Sequence, residues 1–114
     1  MADFHTPSTE RLFRAFQSLE TEEECRRFLE DICTIREIQD MAQRLDTAIL
    51  LEEGLNYHEI AQKVGISTAT ISRVSRALRY GSGGYREMLD KMKRSGEIGT
   101  CVRQYGTDTG RKTE

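Results

Sequence analysis

The stretch NYHEIAQKVGISTATISRVSRALR, residues 56–79, limits the possible folds of this chain more than any other segment. Two apolar patterns of helical period, Ile60 with Val64 and Ile71 with Val74, flank a three-residue turn that starts at Gly65. Asn56 followed by Glu59 has the spacing of a capping box, so a short helix is predicted over 57–64. Gly65 ends it, because glycine takes a positive φ at little cost. Ser67 is the expected cap of a second helix, from Thr68 to about Arg79.

Two helices joined by so short a turn form a helix-turn-helix unit. Ala61, four residues before Gly65, leaves room for the second helix to approach the first. Ile60 and Val64 are expected to face the core from the first helix, and Ile71 and Val74 from the second. Ile66 plugs the turn. Ser67, Thr68, Ala69, Ser72, Arg73 and Arg76 then fall on the outer face. Short side chains there let the backbone come close to base edges, where hydroxyls bond and methyls touch thymine. The start of the second helix also suits a phosphate. Candidate DNA contacts on this reading are Ser67, Thr68, Ala69, Thr70, Ser72, Arg73, Arg76 and Arg79, with Tyr57, His58 and Lys63 on the first helix reaching the backbone.

The net charge of −2 argues against nucleic acid until its distribution is considered. Residues 1–50 carry 6 basic and 11 acidic side chains, a balance of −5. Residues 67–94 carry Arg73, Arg76, Arg79, Arg86, Lys91, Lys93 and Arg94 against Glu87 and Asp90, a balance of +5.

The remainder of the chain reads as all-α. Pro7 is the single proline, and Glu, Arg and Leu are abundant. Leu12, Phe13, Phe16 and Leu19 mark a first helix from about Ser8. Thr21 with Glu24 and Thr34 with Glu37 are two further capping boxes, each opening a helix. The third helix is the longest, with an apolar stripe of Ile35, Ile38, Met41, Ala42, Leu45, Ala48, Ile49 and Leu51, and Gly54 as its terminator. YGSGG at 80–84 is a predicted hinge, followed by a last short helix carrying Tyr85, Met88, Leu89 and Met92. The expected organisation is a flexible N-terminus over 1–7, one domain over 8–95 with its helix-turn-helix at 57–79, and a disordered tail over 96–114.

Other classes of function fit poorly. No apolar run approaches the ~20 residues of a membrane span, and no secretory leader is expected. Cys25, Cys33 and Cys101 lack CxxC spacing and read as reduced thiols of a cytoplasmic protein, with Cys25 and Cys33 as small packing residues. His5 and His58 lie far from any cysteine pair, so no metal or cofactor is expected. His58 has no nucleophile at a meaningful spacing, and YGSGG follows no strand and lacks a P-loop lysine, so no enzyme is expected. The alternative class is an adaptor whose helical unit binds protein; it would tolerate loss of Arg73, Arg76 and Arg79.

TIREIQDMAQRLDTAILLEEGLNYHEIAQKVGISTATISRVSRAL, residues 34–78, resembles the Trp repressor family, and within it the YerC/YecD group from Gram-positive bacteria. The resemblance implies a Trp repressor-like helical bundle in which two subunits interlock as an intertwined homodimer, giving a shared core to a chain only 37% hydrophobic. It also implies a transcriptional regulator, a repressor by analogy, acting on double-stranded DNA at a palindromic operator. By position, Arg44 and Arg73 match the arginines that hold the family's tryptophan corepressor, and Thr34 matches a threonine near its amino group. Val74 stands where the family has glycine, and Ala77 replaces a serine. A valine in that slot costs roughly 1–3 kcal/mol of overpacking if a ligand shares the space. Tryptophan is therefore not expected to be the effector, and any other small-molecule corepressor is left open. Arg44 is then expected to pair with an acidic neighbour such as Asp40.

Overall fold

The computed structural model describes residues 5–96, and among them six helices and no strand. The expected tail, with Cys101, lies outside the described residues except for its first residue, Gly96. None of the described helices is long and apolar enough to cross a membrane. The chain divides into two compact units, with the boundary after Ile38.

The first unit contains α1 (Pro7–Gln17), α2 (Glu22–Ile32) and the first turn of α3 (Ile35–Glu52). Each helix starts on a side-chain cap. Thr6 and Thr9 form a capping box that starts α1 one residue earlier than its apolar pattern suggests, with Pro7 in the first turn. Thr34 and Glu37 form the expected box: the Glu37 amide donates to Thr34 Oγ1 (3.0 Å) and the Thr34 amide to Glu37 Oε1 (2.8 Å). The Thr21 box is only half made. Thr21 caps the Glu24 amide, but the Glu24 carboxylate accepts from Glu20, one residue before the cap. Phe16 and Phe28 meet edge to face at 5.4 Å between ring centroids. No residue of α1 or α2 is fully buried; Cys25 and Cys33 are half-buried, and Ile35 is 74% exposed.

The second unit is built around the C-terminal half of α3. Thr47, Ala48, Ile49 and Leu50 are all buried. At ~100° per residue, four consecutive positions enclose most of the helix circumference, so α3 is here wrapped rather than striped. Leu50, absent from the apolar stripe expected of the sequence, is 1% exposed, whereas Leu51 is only half-buried. Ala48 and Ile49 pack with Val74 and Leu89 in one cluster; Leu50 packs with Ile60, Val64 and Ile71 in another. The Thr47 hydroxyl is satisfied by the Gln43 carbonyl at 2.7 Å. A Schellman ending closes α3: Gly54, at φ 97°, donates to Leu51, and Leu55 donates to Leu50.

α6 (Gly84–Ser95) follows α5 (Thr68–Tyr80) through Gly81, Ser82 and Gly83. Gly81 is required by space, since a Cβ there would collide with the Ala77 carbonyl. Leu89 is the only fully buried residue of α6. Two cations beside it reach Glu52 at the end of α3: Arg86 Nη1 at 2.9 Å and Lys93 Nζ at 3.4 Å. The Arg86 hydrogen bond lowers the Glu52 pKa below the ordinary carboxylate value, against the opposing effect of burial. A depressed carboxylate pKa contributes stability that is present above the unfolded pKa and fades as pH falls through the folded one. Arg86 and Lys93, which belong to the basic half of the sequence, are therefore partly neutralised within the fold.

Candidate nucleic-acid interface

The unit from Asn56 to Tyr80 is organised from its caps inward. Asn56 Oδ1 accepts from the Glu59 amide (2.8 Å), and Glu59 Oε1 accepts from the Asn56 amide (3.0 Å), which is the full expected box. The first helix departs from expectation after one turn. Only Tyr57–Ile60 (α4) is α-helical; Ala61–Gly65 form a single π turn. Such a widening occurs in short pieces, and here it comes just before the chain leaves the helical path at Gly65, φ 84°. Gly65 faces open space, so backbone conformation, not room, requires glycine. Gly65→Ala should lose about 1–2 kcal/mol of stability by chemical denaturation, the ordinary cost of a side chain in the left-handed region.

Ile60, Val64 and Ile71 share a core with Leu50, and Ala61 and Ile66 pack against it as the short turn requires. Val74 differs. It faces inward at 2% exposure, but joins Ala48, Ile49 and Leu89 instead of the α4 side chains. Helix α5 is thus gripped at two points, by Ile71 in one cluster and by Val74 with Leu78 in the other.

Ser67 caps α5 by accepting the Thr70 amide at 3.1 Å, and its hydroxyl also meets Thr70 Oγ1 at 3.1 Å. Ser67, Thr68, Ala69, Ser72, Arg73, Arg76 and Arg79 are exposed, as are Tyr57 and His58 on α4; Thr70 and Lys63 are half-buried. Arg73, Arg76 and Arg79 form no ion pair with another described residue, in contrast to Arg86 and Lys93. The outer face of α5 therefore presents small hydroxyl and methyl groups at its start and three unneutralised guanidiniums along its length. Ser75, on the opposite side, is buried, a polar position that apolar periodicity does not mark.

Beside this face lies an open cleft of about 170 Å³, lined by Asp40, Gln43, Arg44, Ile66, Thr70 and Arg73. It brings Arg44 and Arg73 together and adds Asp40 to the same wall. The other expected pocket residues fall elsewhere. Thr34 caps α3 in the first unit, Ala77 is half-buried on α5, and Val74 sits in the core. Val74 therefore fills space between α5 and α3 and does not line this cleft. Gln43, Ile66 and Thr70 are not among the pocket residues expected of the sequence. The spacing of Gln43 with Asp40 on α3, and of Thr70 with Arg73 on α5, is the signal that could have found those two; Ile66 lies in the turn, where helical spacing gives no signal.

Comparison with known proteins agrees with this architecture. A family model described as Trp repressor protein matches residues 8–93. Protein YerC of Bacillus subtilis (strain 168) is 52% identical over 84 residues, covering 74% of this chain and 81% of that protein. The crystal structure of a TrpR-like protein from Eubacterium eligens superposes with a TM-score of 0.74 at 45% identity, covering 78% of this chain and 92% of the other. A second crystal structure, from Staphylococcus aureus, gives a TM-score of 0.73 at 44% identity, covering 78% of this chain and 89% of its own. The chain belongs to the Trp repressor family, whose members are non-enzymatic regulators.

Proposed function

We propose that this protein is a cytoplasmic transcriptional regulator, a repressor in sense, that binds a palindromic operator as a homodimer. One observation carries the reading. The inner side of α5 is packed into two apolar clusters, while its outer side holds Ser67, Thr68, Ala69, Ser72, Arg73, Arg76 and Arg79 exposed. A helix-turn-helix places such a face in the major groove, with the first helix crossing the backbone; Tyr57, His58 and Lys63 suit the phosphates there, and Thr70 supports the helix start.

The dimer is supported by the N-terminal helices and the start of α3. Phe13, Phe16, Ile32, Ile35 and Met41 are between 39% and 74% exposed, although they form the apolar pattern of their helices. A second copy of the chain covering them would supply the burial that α1 and α2 lack. Two recognition helices one helical turn apart then fit two half-sites.

Tryptophan is not the effector on this reading. Support comes from Val74, which stands where the family has glycine and fills the space between α5 and α3 at 2% exposure. Affinity selection of genomic fragments with purified protein, at two salt concentrations, tests the function. A palindromic consensus whose affinity falls steeply with salt is the expected result. Adding millimolar L-tryptophan should leave operator affinity unchanged within about twofold; a tenfold tightening would overturn the effector reading. No enrichment at low salt would leave the protein-binding adaptor in place of the regulator.

A further inference from the structure

α6 is held to the second unit by very little apolar surface. Leu89 is its one fully buried residue, with Tyr85 and Met92 packed at the edge of the same cluster. Arg86 and Lys93 lie three residues before and four after Leu89, on the same face of the helix. Both converge on one carboxylate, Glu52 Oε2, whose side chain is 21% exposed. An isolated surface ion pair contributes little, but a carboxylate shared by two cations and flanking a buried leucine forms a network. Beside Leu89, Tyr85 and Met92, this network is the polar attachment that ties α6 to the end of α3.

The consequence extends to α5 through the core. Leu89 shares its cluster with Val74 of α5 and with Ala48 and Ile49 of α3. That cluster is the second of the two grips on the recognition helix; the first is Ile71 among Leu50, Ile60 and Val64. A helix held at one point can pivot, whereas a helix held at two has a defined angle. Loosening α6 withdraws Leu89 from behind Val74 and leaves α5 dependent on its first grip.

We propose that Glu52 is a specificity-determining positioning residue: by holding Arg86 and Lys93 it locks α6 against α3 and, through Leu89 and Val74, sets the angle at which α5 meets DNA. This rests on the DNA-binding reading above. Discrimination between an operator and random duplex needs side chains aligned with base edges, whereas phosphate attraction tolerates a tilted helix. Glu52 therefore controls specificity more than total affinity. Its release also frees two cations for phosphates.

The test is the full-length Glu52→Gln chain, compared with wild type on the selected operator and on a random duplex of equal length. Measurements are made well below the unfolding transition, with hydrogen exchange of the α6 amides followed in parallel. Operator affinity should fall about fivefold to tenfold, random-duplex affinity should hold or rise slightly, and α6 exchange should quicken. Adding Arg86→Gln to Glu52→Gln should leave the ratio of operator to random-duplex affinity unchanged, because the shared contact is already lost. Equal loss on both duplexes would mark a merely structural role and overturn the proposal, as would an operator affinity within twofold of wild type. If Glu52→Gln does not fold, Arg86→Gln removes the cation that makes the shorter contact with Glu52, and a loss of discrimination in the same direction is expected from it. A wild-type chain that binds neither duplex sinks the DNA reading and this proposal with it; wild-type binding with an indifferent variant overturns this proposal alone.

Discussion

Replacing Ile71 by alanine is expected to lower stability by about 2–5 kcal/mol, the largest single loss available on α5. Ile71 is 0% exposed and packs with Leu50, Ile60 and Val64, so the helix-turn-helix and the end of α3 meet at this side chain. Truncation removes its transfer free energy and leaves a cavity that three separate elements would have to close. The adjacent Ser72 is exposed and has no such role. Ser72→Ala should change stability by less than about 0.5 kcal/mol while lowering operator affinity. Urea denaturation of both variants, with unchanged m values, would separate the packing face of α5 from its reading face. A loss below ~1 kcal/mol for Ile71→Ala would contradict the packing described.

The second large effect concerns DNA. Converting Arg73, Arg76 and Arg79 together to alanine should weaken duplex binding on the order of a hundredfold near physiological salt. It should also flatten the slope of log affinity against log salt by about 0.9 for each phosphate contact given up. All three side chains are exposed, and none is paired with another described residue, so stability should change little. Arg73 also lines the cleft with Arg44, which makes it the one arginine whose loss can affect both places. A triple variant that binds DNA as wild type does would remove α5 from the interface and favour the adaptor.

Features set by a few neighbouring residues are legible in the amino-acid sequence. The boxes at Thr34–Glu37 and Asn56–Glu59, the Ser67 cap, the positive φ at Gly54 and Gly65 and the start of α5 at Thr68 all appear as expected. Each depends on contacts no more than about five residues apart, which spacing encodes directly. The Thr21 box, where Glu24 turns instead to the Glu20 amide, shows that even a local signal specifies the partner type more reliably than the partner.

Sequence by itself determined the all-helical class, the helix-turn-helix and which side of α5 faces outward, because helical periodicity and capping are local and repeat along one element. Tertiary structure alone decided which cluster each apolar residue joined. Val74 went to α3 and α6 rather than to α4, Leu50 was buried ahead of Leu51, and Thr47 and Ser75 were buried as polar residues. It also decided that Arg86 and Lys93 answer to Glu52, across 34 and 41 residues of chain. A run such as Ala48 to Leu51 is apolar on nearly every side of its helix, so no periodicity can rank its faces. Only the arrival of α4, α5 and α6 on different sides of α3 does so, and pairing across such separations is governed by where helices pack rather than by spacing.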